Sequence, residues 1–247
     1  MKTFCTMLKT ELRLNVRDLN MVIFAVGMPL VMLIILGIIY DTKPAFDGAS
    51  YTFLEQSLGP LAAISICAGG VMGLPILVSE YRERKILKRM KVTPISPEIL
   101  MFVQIVIYML YAAVSLLLIL GVAKLFFNFT IHGSWILYLG SWLLVSLSML
   151  SIGVMVGGIA KDSKQAGVIA SIIYFPMLIF SGATLPYEIM PTALQRVVDI
   201  MPLTQGIKLM KVTSLGLQIE NVLIPVIVMV GVAAICIGIS VKFFRWE

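Results

Sequence analysis

Six apolar runs, over residues 21–40, 58–79, 99–127, 135–160, 166–185 and 222–244, constrain this chain more than any other feature. Each reaches about the 20 residues that an α-helix needs to cross a ~30 Å hydrocarbon layer. In hydrocarbon every backbone donor and acceptor must find a partner within the protein, so runs of this length predict helices. The expectation is an all-α polytopic membrane protein with six transmembrane helices in one domain, residues 1–247. The third run is long enough to tilt or protrude. The fifth is the least regular, with Pro176 inside it and Ser181-Gly182 near its end. Composition agrees: 60% of the chain is hydrophobic, 13% is charged and the mean hydropathy is +1.01, where soluble domains are about half apolar.

Charge placement orients the runs. With the N-terminus in the cytosol, the outer side keeps Lys43, Lys124, Arg196, Lys208 and Lys211, and the inner side takes the other 14 of the 19 basic residues. The positive-inside rule therefore puts both termini in the cytoplasm. Topology accounts for the net charge of +6, and no nucleic-acid partner is expected. No cleavable signal peptide is evident in the basic first twenty residues.

The densest charge is "SEYRERKILKRMKVTPISPEIL", between the second and third runs. Six basic side chains at mid-bilayer would cost roughly 15–20 kcal/mol, so residues 79–98 form a cytosolic connection. Helix is expected from about residue 80 to 91, with no Gly or Pro before Pro94. Ile86, Leu87 and Met90 form a small apolar ridge flanked by Arg82, Lys85 and Arg89. Thr93-Pro94 ends this helix and Ser96-Pro97 starts the next.

Residues 1–18 carry a second amphipathic pattern. Phe4, Leu8, Leu12 and Val16 form one row, and Lys9, Arg13 and Arg17 the adjacent row. Such a helix can lie in the headgroup region against membrane lipid, or simply be solvated. Residues 183–221 are too charged to span and too oily for an ordinary loop. Leu194, Val197, Val198 and Met201 share a helical face, and Pro186, Pro191 and Pro202 cut the segment into pieces. Short external helices lying at, or re-entering, the outer leaflet are expected.

Several chemistries lack their residues. His132 is the only histidine, so neither a His-rich metal site nor Ser-His-Asp catalysis is expected. No phosphate-cradling G-x-x-x-x-G-K-[ST] occurs. Cys5, Cys67 and Cys236 are isolated and predict no disulfide framework or thiolate metal site. No Asp, Glu or His lies well inside a run, which argues against a proton- or sodium-coupled carrier. An ion-coupled carrier or channel acting alone stays the alternative, with a membrane-embedded enzyme a distant third. Gly69, Gly70 and Gly73 in the second run, and Gly153 and Gly157 in the fourth, permit close helix approach. Packing within the bundle, a dimer seam and a translocation path are all compatible with them.

Taken together, the order of elements resembles the membrane permease subunits of type-2 ATP-binding-cassette exporters, including drug- and antibiotic-resistance permeases. The string "RERKILKRMKVTPIS" is similar to that family's "RE-x-G-T-L-E-R-L-x-V-T-P-x-S", matching at Arg82, Glu83, Leu87, Arg89, Val92, Thr93, Pro94 and Ser96. Lys85-Ile86 stands where the family commonly has Gly-Thr, and Lys88 replaces an acid. "SGATLP…MPLTQGIKLMK" resembles its "SG-x-x-x-P…P-L-T-Y", with Gln205 where Tyr is frequent.

The resemblance implies that residues 79–98 carry a coupling helix that docks in a groove on a separate ATPase. The contact residues would be Glu80, Arg82, Glu83, Arg84, Lys85, Ile86, Leu87, Lys88, Arg89, Met90, Thr93 and Pro94. It further implies a bacterial or archaeal cell membrane, two ABC ATPase subunits that bind the ATP and Mg, and a second permease copy or related chain. This chain itself would carry no cofactor and no catalytic residue, and would export an amphiphilic cargo. A solvated basic loop is the other reading of the same segment.

Overall fold

The computed structural model describes residues 2–16, 22–40, 43–46, 48–49, 51–90, 97–127, 129–184, 187, 190–217 and 222–243. The elements are α1 (Lys2–Asn15), α2 (Ile23–Tyr40), α3 (Phe53–Glu83), α4 (Ile86–Met90), α5 (Pro97–Phe127), α6 (Trp135–Ile159), α7 (Ser163–Phe180), α8 (Thr192–Val198), α9 (Pro202–Leu215) and α10 (Leu223–Phe243). Among the described residues the only extended pairing is an isolated bridge between Pro44 and Thr52. Among the described residues six helices, α2, α3, α5, α6, α7 and α10, are long and apolar enough to cross a membrane.

Helix α3 is the axis of the bundle. It is apolar on all sides, and 83% of its most apolar window is buried, as expected of a helix enclosed by others. It packs against α2, α5, α6, α7 and α9. A capping box starts it: Thr52 accepts from the Glu55 amide at 3.2 Å, and Glu55 accepts from the Thr52 amide at 2.8 Å. These bonds satisfy donors that would otherwise be orphaned, and the helix begins five residues ahead of the apolar run. The turns at Ala68–Gly73 widen to a π-helix. Helices α2, α7 and α10 leave most of their apolar surface outward. Water would penalise such a belt, and lipid tails do not.

Small residues set the closest crossing. A Cβ at Gly153 would strike the Gly70 carbonyl oxygen, and one at Gly157 would lie 2.8 Å from the Val78 Cβ. At Gly70 a Cβ would meet the α6 backbone at 3.2 Å, and at Gly69 the Tyr108 ring at 3.3 Å. Gly73 is buried in the same π-turn. Gly70, Gly153 and Gly157 therefore serve the α3–α6 contact inside one chain.

Two segments outside the six spans pack against the bundle. The apolar row of α1 has a protein partner: Phe4, Leu8 and Leu12 pack with buried Met7 against the cluster around Leu100 and Met101. The Phe4 and Phe102 rings lie 5.9 Å apart, while Val16 is exposed. In residues 183–221 short helices form, ending with α9. It is buried along its length and packs against α3, α6 and α10. A Cβ at Gly206 would come within 2.9 Å of Val145, and Gly216 ends the helix in the left-handed region at φ +67°. Only Gly adopts that geometry without steric cost.

Candidate functional site

The end of the bundle that carries α1 and α4 is built around the close of α3. A continuous helix over residues 80–91 does not form. Helix α3 stops at Glu83, Lys85 takes φ +57°, and the chain restarts as α4. Left-handed backbone is costly for a residue with a Cβ, and Lys85 occupies the motif position where glycine is common. The break turns Leu87 inward, where it is 1% exposed, with Ile86 packed on the same cluster. The opposite side presents Lys85, Lys88 and Arg89 to the exterior. Arg84, also exposed, pairs with Glu80 at 2.6 Å, one helical turn away. Thr93 and Pro94, and the side chain of Met90, lie outside the described residues.

Arg82 does not flank this face. It is buried, and its guanidinium donates to the carbonyls of Gly157 at 3.2 Å, Gly158 at 3.1 Å and Ala160. These carbonyls close α6, where the last turn of a helix has no intrahelical donors. The next residue serves the neighbouring helix. Glu83 accepts from the Ser163 amide at 3.2 Å and its hydroxyl at 2.7 Å, at the first turn of α7, where Asp162 already caps the Gln165 amide at 2.7 Å. A cation thus meets a helix C-terminus and an anion a helix N-terminus, the favourable sense for both dipoles. Consecutive residues of α3 clamp the corner between α6 and α7.

A second brace ties α1 to the bundle. Glu11 accepts from the Tyr81 hydroxyl at 2.5 Å and the Gln104 amide at 2.8 Å, and Asn15 donates to Gln104 at 3.3 Å. Gln104 is fully buried, so this network fixes α1 against α3 and α5.

At the far end a cleft of about 770 Å³ opens between α2, the start of α3, α9 and the start of α10. Lys208 lies 2.6 Å from Asp199, and the Tyr187 hydroxyl donates to Asp199 at 3.1 Å. Burial pulls the Lys208 ammonium down, but its bonds to Asp199 and Tyr187 outweigh this and hold it above the ordinary lysine value. Glu55 and His132 pair nearby at 3.0 Å. Among the described residues no group of His, Cys, Asp and Glu could hold a metal ion.

The profile of the ABC-2 type transporter family matches residues 2–215. The chain belongs to that family. Together with its six apolar helices, membership makes it a multi-pass membrane protein. It is similar to Nodulation protein J of Rhizobium leguminosarum bv. viciae, 30% identical over 100 residues, which is 40% of this chain and 36% of that protein. It is also similar to Inner membrane transport permease YhhJ of Escherichia coli (strain K12), 28% identical over 132 residues, 52% of this chain and 34% of the relative. Each match spans about a third of the relative's length.

Reading the sequence alone misses the buried roles of Arg82, Glu11, Tyr81 and Gln104, since their partners lie 70 or more residues away, or across a helix crossing. One signal is nevertheless present: the T-x-x-E of Thr52 and Glu55 is a helix-start signature.

Proposed function

We propose that the chain is the transmembrane subunit of an ATP-driven exporter in a bacterial or archaeal cell membrane, with its α1–α4 end in the cytoplasm. Two ABC ATPase subunits grip that end, a second permease copy or a related chain completes the path, and the cargo is amphiphilic. ATP and Mg belong to the ATPase partners. The observation that carries this reading is the exposed basic face formed by Lys85 in the turn and Lys88 and Arg89 on the five-residue helix α4, set directly on the clamped end of α3. A partner that displaces α4 would move the end of the central helix, and through Arg82 and Glu83 the corner between α6 and α7. Alternating access requires such a link between motor and bundle.

The test uses Lys85→Glu, Lys88→Glu and Arg89→Glu together, leaving Arg82 in place because it is internal. The triple variant should insert and fold normally, yet lose co-purification with the ATPase and at least tenfold of ATP-driven flux. Wild-type flux in that variant would refute the docking face. Flux through the isolated chain, driven by an ion gradient with no ATPase, would refute the motor-driven mechanism.

A further inference from the structure

The cleft at the end away from α4 has the build of a ligand site, and the coupling geometry makes no use of it. Its volume of about 770 Å³ falls within the roughly 300–1,000 Å³ typical of small-molecule sites. Its walls come from four helices. Met32 and Leu36 of α2, Pro60 and Leu61 of α3, and Ile224 and Pro225 of α10 make them largely apolar. Polar groups gather at the side formed by α9, where the charged lining residues are Lys208, Lys211 and Asp199.

The sign of charge that fits depends on how these groups are engaged. Lys208 and Asp199 compensate each other across 2.6 Å, with the Tyr187 hydroxyl donating to Asp199 at 3.1 Å, so the formal charge left on the lining is the single positive one of Lys211. The aromatic faces at the rim already carry cations: Lys208 sits 4.0 Å from the Tyr187 ring centre, and Lys43 sits 5.6 Å from that of Tyr40. Tyr40 in turn stacks on Phe53 at 4.4 Å. A cationic headgroup would find its aromatic partners occupied and a lining of net positive formal charge. An anionic one would add a partner to ammonium groups that each have three donors.

We infer that this cleft binds a single-chain amphiphile, its apolar portion against α2, α3 and α10 and its anionic headgroup at Lys208 and Lys211. The inference deepens the export reading by giving its cargo class a headgroup charge and a place. It rests on that reading only for the ligand's role as cargo, because a resident membrane lipid has the same chemistry.

Binding is tested on the purified full chain without any ATPase, so it stands or falls separately from ATP-driven flux. Native mass spectrometry in a nonionic detergent compares lysophosphatidylglycerol, which is anionic, with zwitterionic lysophosphatidylcholine. The anionic probe should bind about tenfold more tightly. Lys211→Gln should remove most of that preference, Lys211→Arg should keep it, and Leu36→Trp at the cleft wall should weaken both probes by tenfold or more. Ile224→Trp, at a half-exposed wall position, repeats the block should Leu36→Trp fold poorly. Equal affinity for the two probes overturns the inference. So does a preference unchanged in both Lys208→Gln and Lys211→Gln, or binding undiminished in both tryptophan variants. If the site is filled, a ligand that co-purifies and resists exchange identifies a resident lipid, and one that exchanges freely identifies a cargo-type ligand. Absent flux with intact binding refutes the export reading and leaves the site.

Discussion

Arg82 offers the sharpest test of the architecture. Its guanidinium serves three carbonyls at the end of α6 from a buried position. Hydrogen bonds to a charged group contribute about 1.5–3 kcal/mol each, and an orphaned buried acceptor costs about 1–3 kcal/mol. One guanidinium shares its charge among all three, and desolvation offsets part of the gain, so simple addition overstates the total. Arg82→Met should therefore cost about 3–5 kcal/mol. Arg82→Lys keeps the charge but loses the planar fork that reaches several acceptors, and should cost about 2–3 kcal/mol. At roughly 2–4 °C per kcal/mol for a chain of this size, Arg82→Met lowers the apparent Tm by about 6–20 °C. Tryptophan fluorescence of the purified protein in detergent reads the melt, with exposed Lys88→Met as a control that stays within about 0.5 kcal/mol. Hydrogen exchange should quicken first at the corner between α6 and α7. An Arg82→Met protein that melts with the wild type, or exchange that quickens evenly along the chain, would refute the clamp.

Local geometry carries two further predictions. Lys85→Gly relieves left-handed backbone at an exposed position; part of the gain returns to the freer unfolded chain, so stability should rise by about 0.5–1 kcal/mol. An unchanged or lower melt would count against the turn at Lys85. Lys208 has a raised pKa in the folded protein, so its stabilising contribution is complete below the unfolded value of about 10.4 and is lost as pH climbs through the folded value. The melting difference between wild type and Lys208→Met should hold steady from about pH 7 to 9 and shrink as pH rises beyond the unfolded value of about 10.4; a difference that never shrinks on the alkaline side would show that Lys208 acts through packing rather than charge.

Local features are legible in the chain. Six long apolar runs predict six helices because a bilayer leaves the backbone no other way to satisfy itself, and the structure has six helices within a few residues of them. The second run begins at 58 but its helix begins at Phe53, because capping by Thr52 and Glu55 extends α3 beyond the apolar residues. The charged segment stands out in the sequence, but its inner and outer sides do not. Arg82, Lys85 and Arg89 look alike at spacings of three and four, yet a single left-handed residue at Lys85 redirects the chain into α4 and separates Arg82 from the other two.

Apolar length and charge placement, properties of neighbouring residues, are enough to specify a six-span helical membrane protein with one dense basic segment. Which arginine is surface and which is structural was decided by contacts 75 to 78 residues apart, as was the burial of α9 among three spans by its long-range packing. A buried cation must find acceptors wherever the fold brings them, and a helix with apolar positions on several sides must be enclosed by whichever helices the packing supplies. Both depend on the assembled bundle, and no stretch of the chain encodes them alone.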